Sequence, residues 1–231
     1  LAAPRDPQVC AHPEAIARAS RADDVLAAAR IVPSLTQALA DRTLAIAVSA
    51  ETREFGPPAQ TPEACVRLAR DELAADTAHR VSFVFGAERT GLSIGEVGLC
   101  QALCSIPGET DYQSLNLAQA VQVIAYCLRA QAAETEATQA TLAAADTVAA
   151  VAAPGATTAP ASPHATQAQV EALYVHLERA LTGIGFLDPR RPKKLMPRLR
   201  RLFARARLET EEVAILRGIC TRIERLTRAS R

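Results

Sequence analysis

The sequence predicts an α/β fold with a parallel sheet, followed by a small basic all-α segment. Three observations predict it. Two short apolar runs without polar alternation, Leu44–Val48 and Val81–Phe85, read as strands covered on both faces. A helical stretch separates them, the alternation expected of parallel strands. From residue 167 onward three helical patterns rich in Lys and Arg follow one another with no further strand.

The elements can be taken in order. Short helices are expected over 13–20, 23–29 and 34–40, with Asp23 and Ser34 as capping residues. After the first strand, Thr61-Pro62-Glu63 opens a helix over about 61–77 with a cap, a Pro at the first turn and an acid. A short helix over 93–99 and a weaker strand over 103–106 follow the second strand. From Ser114 the pattern is strongly helical, with Leu117, Val121, Ile124 and Leu128 as its apolar stripe, and runs to about residue 145. Residues 146–166 are rich in Ala, Pro and Thr, a composition that cannot bury a core, and read as a flexible linker. The tail then divides into helices over about 167–183, 192–207 and 209–228.

Of the 231 residues, 49% are hydrophobic, enough to bury a core, and only 3% are aromatic, which with the abundance of Ala favours helices over an all-β fold. No run approaches the roughly 18 apolar residues of a membrane span. No basic-then-apolar leader marks secretion, so a cytoplasmic protein without membrane contact is expected. Cysteines stand at 10, 65, 100, 104, 127 and 220; none forms a C-x-x-C pair, and the four histidines make no ligand cluster with them. Buried small hydrophobes explain them, a zinc site is the alternative, and no metal is expected. Residues 1–168 hold 11 Lys/Arg and 18 Asp/Glu, net −7, whereas residues 169–231 hold 15 and 7, net +8. Such a split implies that one part handles a polyanion and the other does not.

Two loops carry the chemistry. In Phe83-Val-Phe-Gly86-Ala-Glu88-Arg89-Thr-Gly91-Leu92 an apolar strand ends at a Gly, where ligands of open α/β sheets bind. A plain turn gives the same pattern. In Ile106-Pro-Gly-Glu-Thr-Asp-Tyr-Gln113-Ser114-Leu115-Asn116 a strand ends and a helix begins. Ser114 serves as a helix cap on one reading and as part of a ligand-binding helix start on the other. In the tail, Lys193, Lys194, Arg198, Arg200, Arg201, Arg205 and Arg207 crowd one helix almost without acids, with Leu195, Leu199, Leu202 and Ala206 as its buried stripe. A solvated face is the ordinary meaning of such a run; phosphate neutralisation is the functional one.

Taken together these stretches resemble the SPOUT class of RNA methyltransferases, and within it the TrmJ-type tRNA 2′-O-methyltransferases. The resemblance rests on Ser49-Ala50 and Arg53 after the first strand, Gly86-x-Glu88-Arg89-x-Gly91-Leu92, Ser114-Leu-Asn-Leu-Ala-x-Ala-Val121, and the tail from Leu195 to Ile219. It implies a sheet tied in a deep trefoil knot, which ordinary topology rules would never suggest. It implies S-adenosylmethionine (S-adenosyl-L-methionine) as the methyl donor, held by Val48, Ser49, Ala50, Gly86, Ile106, Gln113, Ser114 and Leu115. Glu88, Arg89 and Asn116 would face the reaction centre or the RNA, and Arg53 with the basic tail would bind RNA. The implied partner is tRNA, methylated on the ribose of the nucleotide at position 32 in the anticodon loop, by a homodimer.

The implied organisation is a methyltransferase domain over 1–145, the linker, and a basic helical tRNA-binding domain over 167–231. The sequence departs from the family pattern in two places. Glu51 stands where an Arg is usual after Ser49-Ala50. The family's opening strand and helix, with an Asn-Ile-Gly…Arg motif that carries a catalytic Arg, have no counterpart from Leu1 onward. The expectation is that this segment precedes Leu1 and that the chain starting at Leu1 transfers methyl groups poorly without it. The alternative is a non-catalytic RNA-binding protein that retains the fold; a nucleotide-binding regulator is a third reading.

Overall fold

The computed structural model describes residues 1–109, 114–145 and 162–229, with only the backbone described for 137–145 and 229. The chain divides into two compact units, Leu1–Asp41 and Arg42–Arg231. The first holds α1 (Pro13–Arg18), α2 (Asp23–Ala27) and α3 (Leu35–Leu39), close to the expected short helices. Ser34 caps α3 by accepting from the Gln37 amide. Asp23 does not cap α2: it is the first helical residue after Ala22 and contributes an acid to the first turn instead.

The second unit is built on four parallel strands, β1 (Leu44–Val48), β2 (Ala59–Gln60), β3 (Val81–Phe85) and β4 (Ala102–Cys104), in the order β2-β4-β1-β3. β1 is central, and its first four residues are fully buried, as a strand covered on both faces requires. α4 (Pro62–Ala75) starts where expected, with Thr61 capping it through the Ala64 amide and Pro62 in its first turn. α5 (Ile94–Val97) is closed by a capping box between Ser93 and Glu96. α4 and α6 (Leu117–Ala145) pack on the sheet, so Leu44, Ile46, Cys65, Ala69, Cys104 and Ile124 form one core. Five of the six cysteines are buried, and Cys10 is partly so. Cys100 and Cys104 share no helix face; Cys100 precedes β4 and Cys104 ends it.

Three expectations about α6 and the tail are corrected. α6 begins at Leu117, not Ser114, because Asn116 is the residue whose Oδ1 accepts from the amides of Ala118 and Gln119. Its inward face is Ile124 and Cys127, while Val121 and Leu128 are exposed. In the tail, α7 (Gln167–Gly183), α8 (Leu195–Ala206) and α9 (Thr210–Ala229) form as three helices. The inward stripe of α8 passes through Leu195, Leu199 and Phe203, and Leu202 is 48% exposed.

The expected linker falls mostly on 146–161, outside the described residues, but its last part, 162–166, is built into the tail. Ser162 donates its amide and hydroxyl to Glu209, and Thr166 caps α7. Nor is the tail merely tethered to the sheet. The Gln167 amide donates to the Arg42 carbonyl at 2.8 Å, and Gln101 bridges the Gln167 side chain and the Ala45 amide at 2.7 and 2.8 Å.

Below these contacts lies a buried polar cluster that sequence spacing does not reveal. Glu72 on α4 accepts at one carboxylate oxygen from Arg207 Nη2 at 2.7 Å and lies 2.9 Å from His164 Nδ1. His79 stacks on His164, and its Nε2 accepts from the His164 amide. Its Nδ1 must then carry the proton, which it donates to the Glu72 carbonyl at 2.9 Å. Glu72, His79 and His164 present three ligand-type atoms close together. The Arg207 guanidinium already supplies the positive charge that a cation would bring, so the cluster reads as an ion-pair network joining α8 to the sheet.

Candidate active site

β1 and β3 run in register to a common end, with Val48 opposite Phe85, and on the other side Val48 pairs with Cys104 of β4. The loops 49–53, 86–92 and 105–109 therefore leave the sheet side by side at its carboxyl edge, where ligands of such sheets bind. The start of α6 closes the fourth side. Together they enclose a cleft of about 240 Å³. Of the residues expected to hold a ligand, Val48, Ser49, Ala50, Gly86, Ile106, Ser114 and Leu115 line it, as do Glu88, Arg89 and Arg53. Gln113 lies outside the described residues. Glu51, Thr90, Leu92 and Leu117 line the cleft as well and were not among the residues expected to hold the donor. Glu51 could have been, since it directly follows Ser49-Ala50.

The 86–92 loop doubles back on itself. The Gly91 amide donates to the Ala87 carbonyl at 2.8 Å, and Gly91 has φ +62°, a conformation suited to glycine. A Cβ on Gly86 would overlap the Gly91 carbonyl and the Leu92 nitrogen. Glycine is thus required at 86 by the loop's own backbone. The turn reading of this pattern therefore accounts for the glycine itself, and the same residue lines the cleft.

Glu88 and Asn116 are joined to each other. Glu88 Oε1 accepts from Asn116 Nδ2 and Oε2 from the Leu117 amide, both at 2.9 Å, so Glu88 holds the first turn of α6 against the glycine loop. An acid at a helix N-terminus is also favoured by the helix dipole. Asn116→Ala removes both the cap and the Glu88 contact, and is expected to lower stability by about 0.5–2 kcal/mol. Asn116→Gln, with the amide one methylene further out, should not restore it. Thermal unfolding of both variants checks this.

Arg53 is not a free cation. It is paired with Glu51, donates from Nη2 to the Leu92 carbonyl at 3.1 Å, and so ties the loop after β1 to the loop after β3. Arg89, by contrast, is exposed on the cleft and has no hydrogen bond or ion pair among the described residues.

The tail cations also divide. Arg200 makes a two-pronged ion pair with Glu171 at 2.5 and 2.8 Å and lies over the Tyr174 ring, 4.3 Å from its centre. It is committed to holding α8 on α7, and the expectation that it faces phosphate is corrected on that ground. The Arg200 charge remains firmly protonated: burial opposes it, but Glu171 outweighs burial. Lys194 pairs with Glu54 at 2.6 Å, Arg198 lies over the Phe55 ring, and Arg201 donates to the Glu54 carbonyl. Lys193 and Arg205 are exposed and have no ion pair among the described residues.

Residues 4–126 match the SpoU rRNA Methylase family, and residues 168–231 match the family described as the tRNA methyltransferase TrmJ, C-terminal domain. A tRNA (cytidine/uridine/adenosine-2′-O-)-methyltransferase TrmJ of Pseudomonas aeruginosa is 38% identical over 222 residues, covering 96% of this chain and 82% of that protein. A tRNA (cytidine/uridine-2′-O-)-methyltransferase TrmJ of Cronobacter sakazakii is 39% identical over 219 residues, covering 95% and 82%. The crystal structure of TrmJ from Z. mobilis superimposes with a TM-score of 0.73 at 29% identity, over 97% of this chain and 85% of that one. A probable methyltransferase of Bordetella pertussis matches 56% of this chain and 76% of its own, at 44% identity and a TM-score of 0.52. With both parts matched, and in this order, the chain belongs to the SpoU rRNA methylase family and, within it, to the TrmJ methyltransferases.

Proposed function

We propose that the chain transfers a methyl group from S-adenosylmethionine to a ribose 2′-hydroxyl of tRNA, at the cleft formed by the loops after β1, β3 and β4 and the start of α6. The observation that carries this reading is the convergence of Ser49-Ala50, Gly86–Leu92, Ile106 and Ser114-Leu115 on one cleft, although they are spread over more than sixty residues of sequence. The residues present fit the donor. Val48, Ile106 and Leu115 offer an apolar wall for a flat base, and Glu51 and Glu88 offer carboxylates near a cationic ligand. S-adenosylmethionine, when bound, supplies the methyl group on a positively charged sulfur. The chain's own part is positioning. Arg53 and Glu88 fix the walls relative to one another, and Arg89, which has no ion pair among the described residues, meets an RNA phosphate beside the reacting ribose. The experiment is calorimetric titration of the full-length protein with S-adenosylmethionine, repeated with Leu115→Trp, which should abolish binding by filling the cleft. Unchanged affinity in that variant would place the donor elsewhere.

The finer points of the reading have their own support. A trefoil knot is supported by the insertion of β4 between β2 and β1 and by the likeness to the Z. mobilis structure. A homodimer is supported by Val121 and Leu128, exposed seven residues apart on α6 as a seam for a second copy. A target in the anticodon loop, at position 32, rests on family likeness. A cytoplasmic setting follows from a tRNA substrate; no helix among the described residues is long and apolar enough to cross a membrane.

The tail is proposed to bind RNA through phosphates, with Lys193 and Arg205 as its available cations and Arg198 and Arg201 at its edge. Changing Lys193 and Arg205 together to Ala should make the salt dependence of log affinity shallower by up to two increments of roughly 0.7–0.9 each. The same loss should be seen for different tRNAs. Arg200→Ala should instead lower the melting temperature, because it strips Glu171 of its charged partner and leaves it the Gln167 amide alone among the described residues. A salt titration of tRNA binding, with melting curves of the same variants, separates the two.

A further inference from the structure

We propose that a second cleft, between α8, the loop after β1 and α5, takes up a nucleobase of the RNA next to the nucleotide whose ribose is methylated. The proposal rests on the function proposed above. The cleft measures about 670 Å³, within the range of roughly 300–1,000 Å³ typical of small-molecule sites. Three features describe what it would accept.

The first is a flat, apolar interior. Gly56, Gly95 and Gly98 contribute backbone without side chains, and Ile94, 73% exposed, stands over them. A Cβ at Gly95 would meet nothing nearer than Ser93 Oγ at 4.0 Å, so there is free space above this glycine. The second is charge. Arg201 of α8 lines the same cleft and has no ion pair among the described residues, whereas Arg200 and Arg53 there are held by Glu171 and Glu51, and the acid of the lining, Glu54, is paired with Lys194. An apolar slot with a cationic rim is complementary to a base carried on a phosphate chain. The third is continuity. Arg53 lines both this cleft and the donor cleft, so a chain lying across Arg53 places one nucleotide at each.

In this arrangement the target ribose sits at the donor cleft, and the neighbouring base leaves its own stack to lie between Ile94 and α8. The docked tail then does more than attract RNA. It builds one wall of a base pocket, and the Glu72–Arg207 network fixes the distance of that wall from the sheet.

The test pairs cleft-filling variants with an abasic RNA. Gly95→Leu and Ala204→Trp fill the cleft from opposite walls, touch no charge and lie outside the donor cleft; Ile94→Ala removes the stacking surface at an exposed position. Each is assayed for donor affinity by calorimetry and for KM and kcat with a tRNA anticodon stem-loop. The same stem-loop is also made abasic at each nucleotide flanking the methylated one. With wild-type protein, one of the abasic substrates should raise KM by about tenfold, the effect expected for losing one stacked base. The filling variants should raise KM for the intact RNA by a similar factor, leave donor affinity unchanged, and be indifferent to that abasic position. Ile94→Ala should give a smaller rise in the same direction. If the variants act on intact RNA like wild type, the cleft is a packing void. If the variant and abasic losses multiply, the base lies elsewhere. If filling changes the oligomeric state, a second copy occupies the cleft. Each of these results overturns the proposal. Failure of the wild-type protein to bind the donor is a different result, and overturns the underlying function as well.

Discussion

Replacing Gly86 by Ala is expected to abolish methyl transfer, with a loss on the order of 100-fold or more from displacement of the site's geometry. One added carbon is enough. The Cβ would overlap the Gly91 carbonyl and the Leu92 nitrogen, so the loop cannot close on itself. Both neighbours are backbone atoms and cannot rotate away. Moving Leu92 moves the carbonyl that receives Arg53, and shifting the loop also moves Glu88, which holds the α6 start. Three walls of the cleft therefore part together. Donor titration should show binding lost in Gly86→Ala, while the far-ultraviolet circular dichroism spectrum stays close to wild type because the sheet core lies elsewhere. A variant that binds donor normally would show that the loop can open without cost, and that its closed form is not what shapes the site. Gly91→Ala should be milder, since a Cβ there has open space and only the positive φ is penalised.

The second large effect is expected at the seam between the tail and the sheet. Arg207→Ala leaves Glu72 buried, 4% exposed, without the guanidinium that offsets its charge. Removing one partner of such a pair costs about 3–5 kcal/mol. For a chain of this size that corresponds to a fall in Tm of about 6–20 °C. Arg207 also adopts a left-handed conformation, φ 54°, which favours glycine. Arg207→Gly therefore relieves the backbone while losing the pair, and a net loss in that variant assigns the stability to the ion pair. The acid dependence follows from Glu72. Burial on its own would raise its pKa, but the Thr43 hydroxyl and the charges of Arg207 and His164 outweigh it and hold the carboxyl below the usual glutamate range. A carboxylate whose folded pKa is depressed contributes stability above its unfolded pKa and loses it as pH falls through the folded value. Wild type should lose stability on acidification below about pH 4.3, the ordinary glutamate value, and Glu72→Gln should flatten that limb while being less stable near neutrality. Equal acid limbs in the two proteins would remove Glu72 from the account.

Much of this was legible in the sequence, and the remainder was hidden for identifiable reasons. The apolar run without alternation marked β1 because a strand buried on both faces has no polar side to show. The same pattern found β3, but β3 ends the described sheet and only its Val84 is buried, so the expected cover on both faces is corrected there. The end of α7 could be delimited by Gly183 and Gly185, whereas the capping box of Thr166 with Gln169 that starts it was passed over because Thr166 was assigned to the linker. β2 was missed because two residues, Ala59 and Gln60, carry no period. Placing the cap at Ser114 chose the first good capping residue. Asn116 wins because its amide group both accepts from the helix and donates to Glu88, a partner 28 residues away. The cations of the tail looked equivalent, and only packing separates Arg200, tied to Glu171, from Lys193 and Arg205. Docking of the tail was illegible because its anchor pairs Glu72 with His164 and Arg207, 92 and 135 positions along the chain.

The central claim is that the cleft after β1, β3 and β4 serves methyl transfer to a ribose hydroxyl of tRNA. The most direct measurement incubates the full-length protein with tRNA and S-adenosylmethionine labelled in its methyl group, digests the RNA to nucleosides, and identifies the labelled product by mass spectrometry. The account predicts a single 2′-O-methylated nucleoside, lost with Leu115→Trp, which fills the cleft. Label recovered on a base, or on ribose in that variant, would contradict it.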